Sequence, residues 1–440
     1  MSQFLSRKVF LKQGVAVAVT ALMMGSVHAA SDKDEIKKLR DEVQALKSLI
    51  LQQQQVQQQQ QQVQQQQQVQ IEQVRTAPVK VVAAPVAAES AFSSLKSKAG
   101  ASVNLYGFVR ADAEYQFKGG DGIFNRIDKV DLNGVPVNGV MNPNNDRFYS
   151  TANTSRLGLD FKAPVQGADV GGKFEIDIRG GSGDTVRVRH AYLTYNNWLV
   201  GQTSSSFVSG ETQPEMIDFN TPVGHGTLRT PMVRYSDKLG ANTQYLVGVE
   251  QGRADNKLPS LTGKIIQGYA DGNGVLTARA MVQETRARLV DGVGNEYNDQ
   301  SEFGWGAGVG TKYNLNDQIS VTADYTHIKG DDKFMQYTDG MAYKQEGNTI
   351  TLLDYDAVTT GVTYKFAPQW RTNLGYGAVF FDNSAAGKNK TLQQGWLNVL
   401  YNPVKPITLG AEYVYGEREL SKDDHIGRDS RLGFMAKYDF

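Results

Sequence analysis

From about Ser102 to Phe440 the chain repeats one local pattern, an alternation of apolar and polar residues broken by turns. Arg110, Asp112, Glu114 and Gln116 alternate with Ala111, Ala113, Tyr115 and Phe117. Lys173, Glu175, Asp177 and Arg179 alternate with Phe174, Ile176 and Ile178, and Ser320, Thr322, Asp324 and Thr326 with Ile319, Val321, Ala323 and Tyr325. A period of two sends successive side chains to opposite faces of a strand. Each strand then has one apolar face and one charged face. A soluble sandwich hides the apolar faces in a shared core. A transmembrane barrel turns them to lipid and lines water with the charged ones.

Three features favour the barrel. Connections alternate in length: 164–168, 196–197, 237–241, 314–317, 367–368 and 402–405 are short, while 118–149, 205–226, 331–351 and 383–390 are long. Aromatic residues crowd the short turns (Tyr195, Trp198, Tyr235, Tyr313, Phe366, Trp370, Tyr401), as in an interfacial girdle. The chain also ends in an alternating strand whose last residue is Phe440. The pattern predicts sixteen strands, at 103–117, 150–163, 169–180, 184–196, 198–204, 227–237, 242–252, 260–270, 274–288, 301–314, 318–330, 352–366, 369–382, 391–402, 406–418 and 429–440. The expected fold class is all-β, a 16-stranded antiparallel transmembrane barrel at 101–440 with an α-helical coiled-coil stalk before it. A barrel of that size leaves an aqueous lumen.

The residues before the barrel read as three segments. Residues 1–29 combine Arg7, Lys8 and Lys12 with the apolar run 15–24 and small or aliphatic residues before a cleavage point after Ala29, a secretory signal peptide. In 30–76, Ile36, Leu39, Val43, Leu46 and Ile50 form an a/d seam that runs into a glutamine tract with Val56 and Val63, read as a periplasmic coiled coil. Residues 77–100, with Pro78 and Pro85 among Ala and Val, read as a linker. The localisation expected is the outer membrane of a Gram-negative envelope, with the stalk in the periplasm.

Composition narrows the function classes. Lys plus Arg and Asp plus Glu are both 46, so there is no cationic surplus for nucleic acid. Loss of a leader with three basic residues and no acid leaves the mature chain acidic. No run of 18 apolar residues suits a membrane helix. Cysteine is absent, and no HExxH motif or P-loop lysine occurs, so no cofactor, no metal and no enzymatic reaction is expected. His190 falls on the lipid-facing phase of its strand.

Placed by parity, 205–226 is the third long-side loop. It carries Glu211, Glu215, Asp218 and His225 and no Lys or Arg. The charged phase of the wall supplies Arg156, Arg187, Arg189, Arg279 and Arg371, with Arg229 and Arg234 just after the loop. Arginine lining favours anions, and the guanidinium fork matches a carboxylate. The same charges also serve simply to wet a barrel interior.

The stretches 201–207 (GQTSSSF), 187–195 (RVRHAYLTY) and 155–161 (SRLGLDF) resemble the trimeric porin superfamily. The order of leader, coiled coil with glutamine tract, Pro/Ala linker and barrel resembles the DcaP-type porins over the whole chain. That resemblance implies a homotrimer in outer-membrane lipid, a third loop that constricts the pore, and passive uptake of small anionic solutes such as dicarboxylates. A general, weakly selective porin whose stalk tethers the envelope through a periplasmic partner of the coiled coil is the second reading. Residues 101–440 carry 34 basic and 39 acidic side chains, so anion preference requires the acids to lie away from the passage.

Overall fold

In the computed structural model the described residues are 95–96 and 100–440, apart from 181–184, 291–293, 295 and 339–341. They belong to the unit Ala88–Phe440. The expected leader, the coiled coil and all but a few linker residues lie outside the described residues.

The alternation becomes sixteen antiparallel strands. They are β1 Ser102–Lys118, β2 in two segments (Arg147–Thr151 and Arg156–Val165), β3 Ala168–Gly180, β4 Thr185–Tyr195, β5 Trp198–Ser204 and β6 Arg229–Gly240. There follow β7 Thr243–Glu250, β8 Ser260–Tyr269, β9 Gly274–Val290, β10 Glu296–Asn314 and β11 Ile319–Lys329. The last are β12 Asp354–Ala367, β13 Trp370–Phe381, β14 Asn389–Tyr401, β15 Ile407–Leu420 and β16 Ile426–Asp439. Each pairs with its neighbour in sequence, and β16 pairs back onto β1, with Phe108 opposite Asp439. The Phe440 amide donates to the Gly107 carbonyl at 3.0 Å, so the chain's end completes the closure. Closure leaves no strand edge for lipid to meet, the condition for a sheet to span a membrane.

Outward residues such as Val109, Leu193, Val200, Leu374 and Leu397 are exposed, as a lipid-facing band requires. One edge of this band carries aromatic contacts. Trp198 meets Tyr235 at 5.0 Å between ring centroids, and Trp370 stacks on Tyr401 at 4.3 Å. The β2–β3 turn shows why that side is tight. Gln166 and Gly167 have φ of +51° and +82°, the two left-handed positions of a two-residue hairpin.

Two expectations change. His190 does not face lipid. The register of β3 with β4 shifts by one residue between Glu175 and Ile176, because His190 opposes Glu175 while Val188 opposes Ile176. The extra residue, Arg189, lets its neighbour His190 join Arg187 and Arg189 on the inner side, while Val188 stays outward. His190 Nδ1 lies 2.9 Å from Thr203 Oγ1 and its Nε2 3.7 Å from Glu175. The second change is inside the lumen, which is not lined by polar groups alone. Ile127 and Val130 from the 119–146 loop, Phe207 and Val223 from 205–228, and Phe334, Met335 and Tyr337 from 330–353 form an apolar core with wall residues including Met281, Ile328, Tyr355, Val379 and Leu392. The 330–353 loop also carries a small hairpin, Tyr343–Glu346 with Thr349–Leu352, where the sequence suggested only a loop. Each fully buried large apolar side chain of such a core adds roughly 1.5–3 kcal/mol, so three long loops are held inside the barrel rather than left in solvent.

Candidate functional site

The 205–228 loop runs along the inner wall from β8 round to β16, and its acids are its anchors. Glu211 accepts from Lys264 Nζ on β8 at 2.8 Å. Glu215 takes the Arg371 fork on β13 at 2.6 and 2.8 Å. Asp218 pairs with Arg431 on β16, and the backbone amides of Ile217 and Asp218 donate to the Glu412 carboxylate at 2.7 and 2.8 Å. Thr212 donates to Asp324, which also holds Arg279. The loop lies directly on the wall backbone. A Cβ at Gly377 would stand 1.9 Å from the Val223 carbonyl oxygen, so only glycine permits that approach.

His225 is 2 % exposed and its Nε2 has no hydrogen-bond partner. Burial is the dominant cause that pushes its imidazole down to about 4, with Asp324 opposing and Arg279 assisting. It is therefore neutral near pH 7.

The wall across β2–β6 is charged differently. Arg187 forms a bidentate pair with Asp177 at 2.9 and 2.7 Å. Arg189 reaches Glu175 at 2.6 Å and Asp177 at 2.9 Å. Arg156 stands 3.6 Å from Glu175. Arg229 is within electrostatic reach of Arg189, Arg187 and Arg156, and no carboxylate lies within ion-pair distance of it among the described residues. Arg179 likewise has no acid at that distance; its guanidinium lies 5.5 Å from the Phe124 ring centroid. Five guanidiniums (Arg156, Arg179, Arg187, Arg189, Arg229) thus share two carboxylates. Arg234 donates to the Ser204 carbonyl at 3.3 Å, and its Nε is unpaired.

The residues singled out from the sequence therefore separate into two groups. Arg156, Arg187, Arg189 and Arg229 come together on one wall. Arg279 and Arg371 do not join them: Arg279 is buried against Asp324 and Arg371 is taken by Glu215. The sequence reading named no partners for the loop acids. Lys264 and Glu412, which hold the loop, lie on the polar phase of their strands, but nothing local links either one to the loop. Phe219 was missed too; Arg110 and Arg156 stand 5.3 and 5.9 Å from its ring centroid, and Phe124 lies 6.4 Å away.

A closed barrel with a lipid-facing band, a polar passage and an inward-folded third loop defines an outer-membrane channel of the porin class. Residues 34–440 match the family described as DcaP outer membrane protein, and the chain belongs to that family. It is similar to the crystal structure of the outer membrane channel DcaP of Acinetobacter baumannii, with 42% identity and a TM-score of 0.71 over 79% of this chain and 99% of that one. OmpF of Salmonella typhi, in complex with daunomycin, aligns at 15% identity and a TM-score of 0.52, over 77% of this chain and 98% of that one. The loop-deletion variant of OmpT from Vibrio cholerae aligns at 15% identity and a TM-score of 0.50, over 77% of this chain and 99% of that one. The last two bear on the fold alone. No curated protein matches the chain.

Proposed function

We propose that this channel passively takes up small anionic solutes such as dicarboxylates, as a homotrimer whose amino-terminal coiled coil extends into the periplasm. The observation that supports selectivity is the separation of charge. The loop acids are each consumed by a cation of the far wall, whereas five guanidiniums of β2–β4 and β6 share only Glu175 and Asp177. A solute passing the loop then meets a net cationic surface despite the acidic total of the barrel. The inward loop would form the constriction, with Arg156, Arg187, Arg189 and Arg229 as its contacts. Arg279 and Arg371 would act through the loop they help to fix.

The test is the reversal potential of single channels under a KCl gradient. Chloride preference supports the reading; potassium preference or none refutes it. The second reading, a weakly selective pore with a tethering stalk, is separated by deleting residues 30–98. Normal solute uptake with a failing envelope would assign tethering to the stalk.

A further inference from the structure

Outside the inward loop the lumen widens into a cavity of about 910 Å³. Its lining includes Arg126 and Lys129 from the first long loop, Arg179 and Arg187 from the wall, Arg253 from the 251–259 loop and Lys333 from the 330–353 loop. Among the described residues, the acids on that lining are Asp121 and Asp332.

Three of these cations share a construction. Arg126 pairs at 2.7 Å with Asp128, Arg187 at 2.7 Å with Asp177 and Arg253 at 3.0 Å with Asp331. In each pair the carboxylate is fully buried, while the arginine is 44%, 40% and 33% exposed respectively. In the first two pairs the acid takes two N–H groups and fixes the plane of the guanidinium, Arg126 donating also to the Thr338 carbonyl; Arg253 is held through one N–H. Fixing the donors beforehand lowers the ordering cost that binding would otherwise carry. Lys129 adds an exposed cation with no ion-pair partner among the described residues. On the periplasmic side of the loop the corresponding cavity, about 730 Å³, is lined by Lys312, Lys365 and Arg371 with Glu215 and Asp317. The two mouths therefore differ in what they turn to water: at the outer one the partner acids of Arg126, Arg187 and Arg253 are buried behind the guanidiniums, whereas at the inner one Glu215 shares the lining with Arg371.

We infer that the outer cavity is a preorganised capture site for multivalent oxyanions, leading into the passage beside the loop through Arg179 and Arg187, and that it makes entry faster from the outer face than from the periplasmic face. The inference rests on the anion-channel reading above. Ion pairs turned cation-outward, together with Lys129 and Arg179, make the potential of this concave mouth positive toward an approaching anion, and such a potential raises its association rate. Several oriented forks favour a ligand with more than one carboxylate or phosphate group over a monovalent one.

Current interruptions by citrate, trivalent near neutral pH, test it on channels inserted from one chamber so that their direction is known. Acetate is the monovalent control. Citrate added on the long-loop side should block with a several-fold higher association rate than citrate added on the other side, and acetate should show little asymmetry. Arg126→Gln should lower the ratio of outer to inner association rates about three- to tenfold. Because it strands Asp128, Lys129→Glu is the second variant; it changes the cavity charge by two, leaves every buried carboxylate paired and should lower the ratio to a similar degree. In the wild type, raising KCl from 0.1 to 1 M shrinks the Debye length from ~10 to ~3 Å and should collapse the ratio. Equal association from both sides, or a ratio unmoved by Lys129→Glu and by salt, overturns the capture site. If the channel prefers chloride but the ratio is unity, only this inference fails. If it shows no anion preference, the reading beneath it fails as well.

Discussion

Arg229→Gln is the most direct probe of the cationic wall, because no carboxylate depends on it. Removing Arg187 and Arg189 together leaves Asp177 buried without its partners, and orphaning a buried charge costs about 3–5 kcal/mol. That variant would report folding as much as selectivity. Among the described residues the Arg229 side chain hydrogen-bonds only to the Thr227 carbonyl, at 3.5 Å, so its loss strands no carboxylate there. A unit charge ~6 Å from a permeating ion is worth about 0.7 kcal/mol in a water-like dielectric and about 2.8 kcal/mol at an effective dielectric of 20. The passage holds water, so the lower figure governs, and it corresponds to about a threefold change. Because the charge attracts chloride and repels potassium, the two threefold effects multiply, and the chloride-to-potassium permeability ratio should fall about tenfold in Arg229→Gln and about a hundredfold in Arg229→Glu, read from reversal potentials in a KCl gradient. Both variants should keep the heat-modifiable gel mobility of a folded barrel. A folded Arg229→Glu channel with the wild-type ratio would refute the claim that this wall sets selectivity.

Other outcomes follow from the same contacts. Gly377→Val, which drives a side chain into the Val223 carbonyl, should displace the inward loop and raise unitary conductance, read in planar bilayers. Glu215→Gln should weaken the Arg371 anchor and increase current noise at the loop with little change in thermal stability, since the pair is partly exposed. Arg279→Gln should instead lower stability by about 3–5 kcal/mol in denaturant titrations, because it orphans buried Asp324. His225 has a folded pKa of about 4, below the ordinary 6.5, so the unfolded chain binds more protons between those values. Its stabilising contribution is complete above pH 6.5 and is lost as pH falls through 4. His225→Asn should therefore flatten the difference between thermal unfolding at pH 7 and at pH 4.5, while conductance between pH 6 and 8 should not respond to this residue.

The sequence by itself determined the strands, their number and which side carries the long loops. Alternation is a local property, and turn chemistry and loop length are equally local, so each strand could be placed without knowing its neighbours. The expected strand at 260–270, for example, forms as β8 at Ser260–Tyr269. The polar phase likewise marked Arg156, Arg187, Arg189 and Arg229. What only the tertiary structure decided is which charges are already spent. Arg279 with Asp324, Arg371 with Glu215 and Arg431 with Asp218 join residues 45 to 213 positions apart. Such pairs depend on strand register and loop path, which alternation does not encode. One inserted residue at Arg189 turned His190 inward against its nominal phase. The apolar core inside the lumen was hidden for the same reason: Ile127, Phe207 and Phe334 come from three separate loops and become a core only when closure of the barrel brings them together.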